Sequence, residues 1–200
     1  MTETSTRDRL LRATRACVTD RGVAGTTSRA ITSAAGANLA AITYHFGSKD
    51  DLVAEALLEG IREAVAPALA VLGRDDLEPP VRVALAVEAL RSAFAEASSS
   101  APGYVEALVQ GRHLPRLREG MHELFAEIRR FLSDQMTEQQ AAGQLPAWVE
   151  PEAMAALIVA AANGIVVQSV LEPGGTDANA MAGQFAGLLL SAWTGVRPPG

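Results

Sequence analysis

Between Thr26 and Leu52 the sequence reads TTSRAITSAAGANLAAITYHFGSKDDL, and its punctuation leaves the backbone little freedom. Thr27 or Thr26 is placed to cap a helix running through Ile31 to Gly36. Asn38 is placed to cap the stretch LAAITYHF up to Gly47, and Ser48 to cap a helix that begins at Lys49. Ser, Thr and Asn side chains accept from the free N–H groups of a first helical turn, and glycine tolerates the left-handed residue that ends one. Asp51, three residues after Ser48, adds the reciprocal arrangement of a capping box. Two helices this short cannot bury their apolar faces alone. Ile31, Ala35, Ile42 and Phe46 must therefore dock on the helix before them, marked by Leu10, Ala13, Thr14 and Cys17 and ending at Gly22, and on the helix after them, marked by Leu52, Val53, Ala56 and Leu57. The outer face of the second short helix is then free to enter the major groove of DNA.

The helix that begins at Lys49 can extend to about Leu72, although Gly60 and Pro67 argue for a bend or an early end. GRDDLEPP, with its acids and paired prolines, is the clearest boundary in the chain. Beyond it, helices are expected at Val81 to Ala97, Tyr104 to Gln110, Leu117 to Ala142, Pro151 to Leu171 and Asp177 to Trp193. They are separated by SSSAPG, GRHLP, AGQLPAW and EPGGT. No alternating strand pattern and no internal repeat is present. The expected fold is all-α, a three-helix helix-turn-helix head followed by a helical-bundle body. Residues 1–50 make the head and residues 51–200 the body, with the helix of about 49–72 connecting them.

The overall charge of -6 argues against a polyanion as partner until it is divided by position. Up to Lys49, seven basic side chains face three acidic ones, a balance of +4, so the rest of the chain carries -10. Such asymmetry directs a polyanion to one end only. Cys17 is the sole cysteine and lies in an apolar helical stripe, so a small buried residue is expected there. Without a second cysteine or the apolar core of a signal peptide, the chain reads as cytoplasmic. AMAALIVAAANGIVVQSVL is nearly long enough to span a membrane, but it has no positive flank or aromatic belt, and a helix buried against protein is the expectation. No Ser/His/Asp set, acid pair or phosphate loop points to an enzyme, and His45, His113 and His122 lie too far apart for a local metal site. Neither cofactor nor metal is expected.

The head resembles the TetR family of transcriptional regulators. The resemblance rests on the capped helix before Gly36, the apolar helix positions and YHFGSKDDL, all in register. It implies that Arg29 reaches a base edge, that Leu39, Ala40, Ala41 and Thr43 face bases, and that Tyr44 lies between base and backbone. Thr27, Ser28, His45 and Lys49 match phosphate-contacting positions. Two departures matter: Thr43 stands where the family very often has tyrosine, and LAAITYHF contains no Arg or Lys. Arg29 is thus the main directional donor, and guanine is the usual bidentate partner of arginine.

The last two long helices are apolar around most of their circumference and carry Ala160, Ala161, Ala162, Gly164, Gly183 and Gly187, which permit close approach. Two copies can pair them into a four-helix interface, the homodimer that the resemblance also implies. A small, largely apolar effector is expected between the middle helices, with Tyr104, His113, Met121, Phe125, Trp148, Asn163 and Gln168 as candidate contacts. The expected function is a ligand-responsive regulator, foremost a repressor that binds a palindromic operator in double-stranded DNA and leaves it when the effector binds; a transcriptional activator and a helical interaction module without DNA binding are the alternative readings.

Overall fold

The computed structural model describes residues 5–96, 100–172, 175 and 177–192. Among them are nine helices and no strand: α1 (Thr6–Gly25), α2 (Ser28–Ala35), α3 (Leu39–Phe46), α4 (Lys49–Leu72), α5 (Pro79–Glu96), α6 (Ser100–Gln110), α7 (Pro115–Ala141), α8 (Pro151–Leu171) and α9 (Ala178–Ala192). The all-α expectation holds. Ala97 and Trp193, where two expected helices end, lie outside the described residues.

Most differences from the expected boundaries come from proline. α5 begins at Pro79 rather than Val81, α7 at Pro115 rather than Leu117, and α6 at Ser100 rather than Tyr104, with Pro102 in its first turn. A first-turn N–H has no intrahelical acceptor, so proline loses nothing there, and its fixed φ suits the helix. Residues that mark a linker by composition therefore join the helix that follows. α4 likewise runs on past Gly60 and Pro67 to Leu72. Pro67 is exposed and flanked by buried Ile61, Ala64 and Ala68, whose packing offsets the one backbone bond that proline removes.

The chain divides into two compact units. One comprises the chain up to Ala64 together with Ala97–His122; the other comprises Val65–Glu96 and the chain from Glu123 onward. In the first, Leu10, Leu11, Ala13 and Cys17 of α1 pack with Ile31, Ala35, Ile42, Phe46, Leu52 and Ala56. The docking expected of the two short helices is thus present, and Cys17 is buried as expected. Leu10, Leu11 and Ile31 are almost fully buried, each worth about 1.5–3 kcal/mol of transfer free energy. The Arg7 guanidinium fastens this core from outside, pairing with Glu55 and lying 5.4 Å from the Phe46 ring centroid.

The second unit has its own core of Leu132, Met136, Leu145, Val149 and Ala155. The turn between α7 and α8 is held by Gln140, whose Nε2 donates to the carbonyls of Pro146 and Val149 at 3.0 and 2.7 Å. α9 packs on both α5 and α8. α8, expected to be buried against protein, is covered by little of its own chain: only 11% of its most apolar stretch is buried.

Candidate nucleic-acid interface

The interface is built from its caps upward. Thr27 Oγ1 accepts the Ala30 N–H at 3.2 Å and starts α2; Asn38 Oδ1 accepts the Ala41 N–H at 2.9 Å and starts α3. Thr26, the alternative cap, is instead buried and donates its hydroxyl to the Gly22 carbonyl at 2.7 Å. Between the two helices Gly36 adopts φ 60°, ψ 41°, a left-handed conformation that a Cβ would strain. Ser48 Oγ accepts the Asp51 N–H at 3.0 Å and donates to Asp51 Oδ2 at 2.8 Å, so α4 starts as soon as α3 ends.

With Ile31, Ala35, Ile42 and Phe46 turned into the core, the other side of α3 is left to water. Leu39, Ala40 and Thr43 are exposed, and Tyr44 is 84% exposed. Ala41 is half-buried and packs on the edge of the core. Arg29 and Thr27 are exposed, Ser28 is half-buried, and the Arg29 guanidinium makes no hydrogen bond or ion pair with any described residue. The half-buried His45 ring meets Tyr44 edge-on with centroids 4.8 Å apart. Lys49 is also half-buried; its ammonium donates to the Thr26 carbonyl at 3.4 Å and lies 3.4 Å from Asp50. Three N–H donors still leave Lys49 capacity for a phosphate. The head therefore presents one apolar and hydroxyl-bearing helix face bordered by an uncommitted guanidinium, suited to thymine methyls, base edges and phosphates.

One contact that orders this head has no local sequence signal. α1 breaks at Gly22 (φ 68°, ψ 172°), where the helix was expected to end, and then makes a further turn to Gly25. The Val23 N–H released by the break donates to Glu106 Oε1 at 3.0 Å, and Gln110 Nε2 donates to the same oxygen at 3.2 Å. Glu106 lies on α6, 83 residues from Val23.

The seven candidate effector contacts divide between the two units. Tyr104, His113 and Met121 belong to the first, where Tyr104 and Met121 are buried and His113 is exposed. Burial pushes the Tyr104 phenol above its ordinary pKa. Phe125, Trp148, Asn163 and Gln168 belong to the second, where Gln168 is exposed and the other three are half-buried. Trp148 packs on the second core, and its Nε1–H is buried without a hydrogen-bond partner among the described residues.

The second unit also holds a cavity of about 120 Å³, and none of the seven lines it. Its walls come from α5 (Val83, Val87, Leu90), α7 (Leu132, Met136) and α9 (Leu189). Among the described residues lining it Arg82 is the one that carries a charge, with Gln135 and Gln139 beside it, and the surface they leave to the cavity is almost entirely apolar.

Residues 10–56 match the sequence profile of bacterial regulatory proteins of the tetR family, and residues 79–191 match that of the BetI-type transcriptional repressor C-terminal domain. No curated protein sequence matches the chain. Among solved structures, a Rhodococcus sp. protein described as a TetR-family transcriptional regulator superposes with a TM-score of 0.79 at 18% identity, covering 94% of this chain and 98% of that one. The fatty acid degradation regulator FadR from Bacillus halodurans gives 0.77 at 16% identity, with 95% and 97% covered. A Saccharomonospora viridis protein, described as a transcriptional regulator and solved in complex with choline, gives 0.71 at 21% identity, with 92% and 95% covered. At these identities the structures speak for the fold, whereas the profile matches span both the head and most of the body: the chain belongs to the TetR family of transcriptional regulators.

Proposed function

We propose that the protein is a cytoplasmic, ligand-responsive repressor that binds a palindromic operator as a homodimer. Residues 1–50 act as its DNA-binding domain and residues 51–200 as its ligand-binding and dimerisation domain. The observation that carries this reading is the exposed face of α3, with Leu39 and Tyr44 turned to solvent while the helix's other side is locked in a core. Leu39, Ala40, Ala41, Thr43 and Tyr44 read or border bases, Arg29 supplies the directional donor, and Thr27, Ser28, His45 and Lys49 hold phosphates. The homodimer reading is supported by the sparse coverage of α8 and by Leu157 and Leu188, each 60% exposed on α8 and α9. Soluble monomers rarely leave so apolar a surface open. The match to the BetI-type repressor C-terminal domain supports repression.

The effector is small and largely apolar, and the cavity of the second unit is the place we assign to it. α4 continues unbroken from Lys49, beside the DNA face, to Leu72, which lines that cavity. A ligand that prefers the DNA-incompetent arrangement by about 1–3 kcal/mol lowers operator affinity by one or two decades. Footprinting on the operator tests the repressor reading. A repressor protects sequence overlapping the promoter elements and loses that protection when the effector is added. Protection confined to sequence upstream of the promoter would make the protein an activator instead.

A further inference from the structure

We infer that α3 reads its operator through the C5-methyl groups of pyrimidines, touched by Leu39, Ala40 and Thr43, and that hydrogen-bonded base reading is left to Arg29; this rests on the reading of α3 as the DNA-reading helix. Leu39 and Thr43, like Ala40 and Tyr44, are four residues apart, so the four form one strip along the helix, and all are exposed. Leu39 is 51% exposed, an aliphatic side chain that the core of the head does not use. The strip carries no amide, carboxylate or cation. Its two hydroxyls, on Thr43 and Tyr44, both donate and accept, so neither singles out one base pair. Asn38, at the start of the strip, has the side chain that pairs with adenine through a donor and an acceptor. Its Oδ1 is already committed, accepting the Ala41 N–H at 2.9 Å.

What the strip offers is therefore hydrocarbon. The apolar group that a base edge presents in the major groove is the thymine methyl, and 5-methylcytosine carries the same group. Ala40 reaches only one carbon beyond the backbone, so its contact requires α3 to lie deep in the groove. Each methyl removed from water adds about fourfold to affinity. Hydrogen-bonded reading then falls to the Arg29 guanidinium, exposed and engaged by no described residue, whose paired donors match guanine. Because α3 selects a methyl group and not a donor–acceptor pattern, it accepts 5-methylcytosine in place of thymine.

The test is a fluorescence anisotropy titration of the full-length protein with synthetic duplexes of the operator recovered from genomic DNA. In three of them the half-site thymines are replaced by uracil, by cytosine or by 5-methylcytosine, the last two paired with guanine. Uracil removes only the methyl group, so full replacement should weaken binding at least about tenfold, roughly fourfold for each methyl contacted. Cytosine should weaken it at least as much, and 5-methylcytosine should restore affinity to within about threefold of thymine. Uracil outside the half-sites should change nothing. Leu39→Ala, which alters no core residue, should reduce the preference for thymine over uracil by about fourfold. Replacing half-site guanines by 7-deazaguanine, which lacks the N7 acceptor, should weaken binding of the unaltered protein but not of Arg29→Ala. Equal affinity for the uracil and thymine operators, or for the cytosine and 5-methylcytosine operators, would overturn the inference. So would an unchanged preference in Leu39→Ala, or a 7-deazaguanine loss that persists in Arg29→Ala. The first two need no variant to fold. Sequence-specific binding that ignores uracil leaves the repressor reading standing and removes this inference alone; binding with no sequence preference removes the reading beneath it.

Discussion

The Glu106 carboxylate accepts the Val23 backbone N–H at 3.0 Å, tying α6 to the point where α1 breaks its helix at Gly22. Glu106→Ala leaves a part-buried N–H without its partner, a loss of about 1–3 kcal/mol. Gly22→Ala forces a Cβ into φ 68° and costs about 1–2 kcal/mol. Urea denaturation of both variants measures these losses. If neither variant lowers stability, the contact does not hold the α1 break.

Arg29 and Lys49 should separate reading from positioning. Arg29→Ala is expected to cost about 1–3 kcal/mol on operator and little on unrelated DNA. Lys49→Ala should weaken both and reduce the slope of log K against log salt by about one. Because Lys49 also bonds the Thr26 carbonyl, a thermal melt of the variant accompanies the titration. Equal losses on both DNAs for Arg29→Ala would make it a phosphate contact only.

Leu157→Glu and Leu188→Glu place a charge on the exposed apolar surfaces of α8 and α9. The single chain should keep its helical circular dichroism, since neither side chain is in the core, while sedimentation velocity shifts from dimer to monomer. Operator affinity should fall by several decades with loss of the second head. Dimers that persist unchanged in both variants would place the interface elsewhere.

The Tyr104 phenol sets an alkaline limit. Its pKa is raised in the folded protein, so its stabilising effect is complete below the unfolded value of about 10 and is lost as pH rises above it. Between pH 9 and 11 the unaltered protein should lose about 1.4 kcal/mol more stability than Tyr104→Phe. Parallel pH profiles would show that the phenol ionises as freely in the folded state as in the unfolded one.

The head was legible because its signals are local. Thr27, Asn38 and Ser48 each act on an N–H three residues away, and Gly36 and Gly47 end helices within the same short stretch. The body was legible only as helices. Pro79, Pro102 and Pro115 read as linkers because composition cannot distinguish a proline between helices from one in a first turn. Glu106 sits among ordinary helical residues, and its importance arises from a partner 83 residues away. A cavity is the space left between packed helices, so it has no counterpart in residue spacing, and the expected contacts from Tyr104 to Gln168 fell outside its walls.

The central claim, that the α3 face of a dimer reads one operator, is tested most directly by sequencing the genomic fragments retained by purified protein near physiological salt. The retained fragments should share an inverted repeat with half-sites about 34–36 Å apart, or a multiple of that spacing, and a protein carrying both Arg29→Ala and Tyr44→Ala should lose them. Fragments with no shared repeat, or the same fragments held equally by the double variant, would contradict the account.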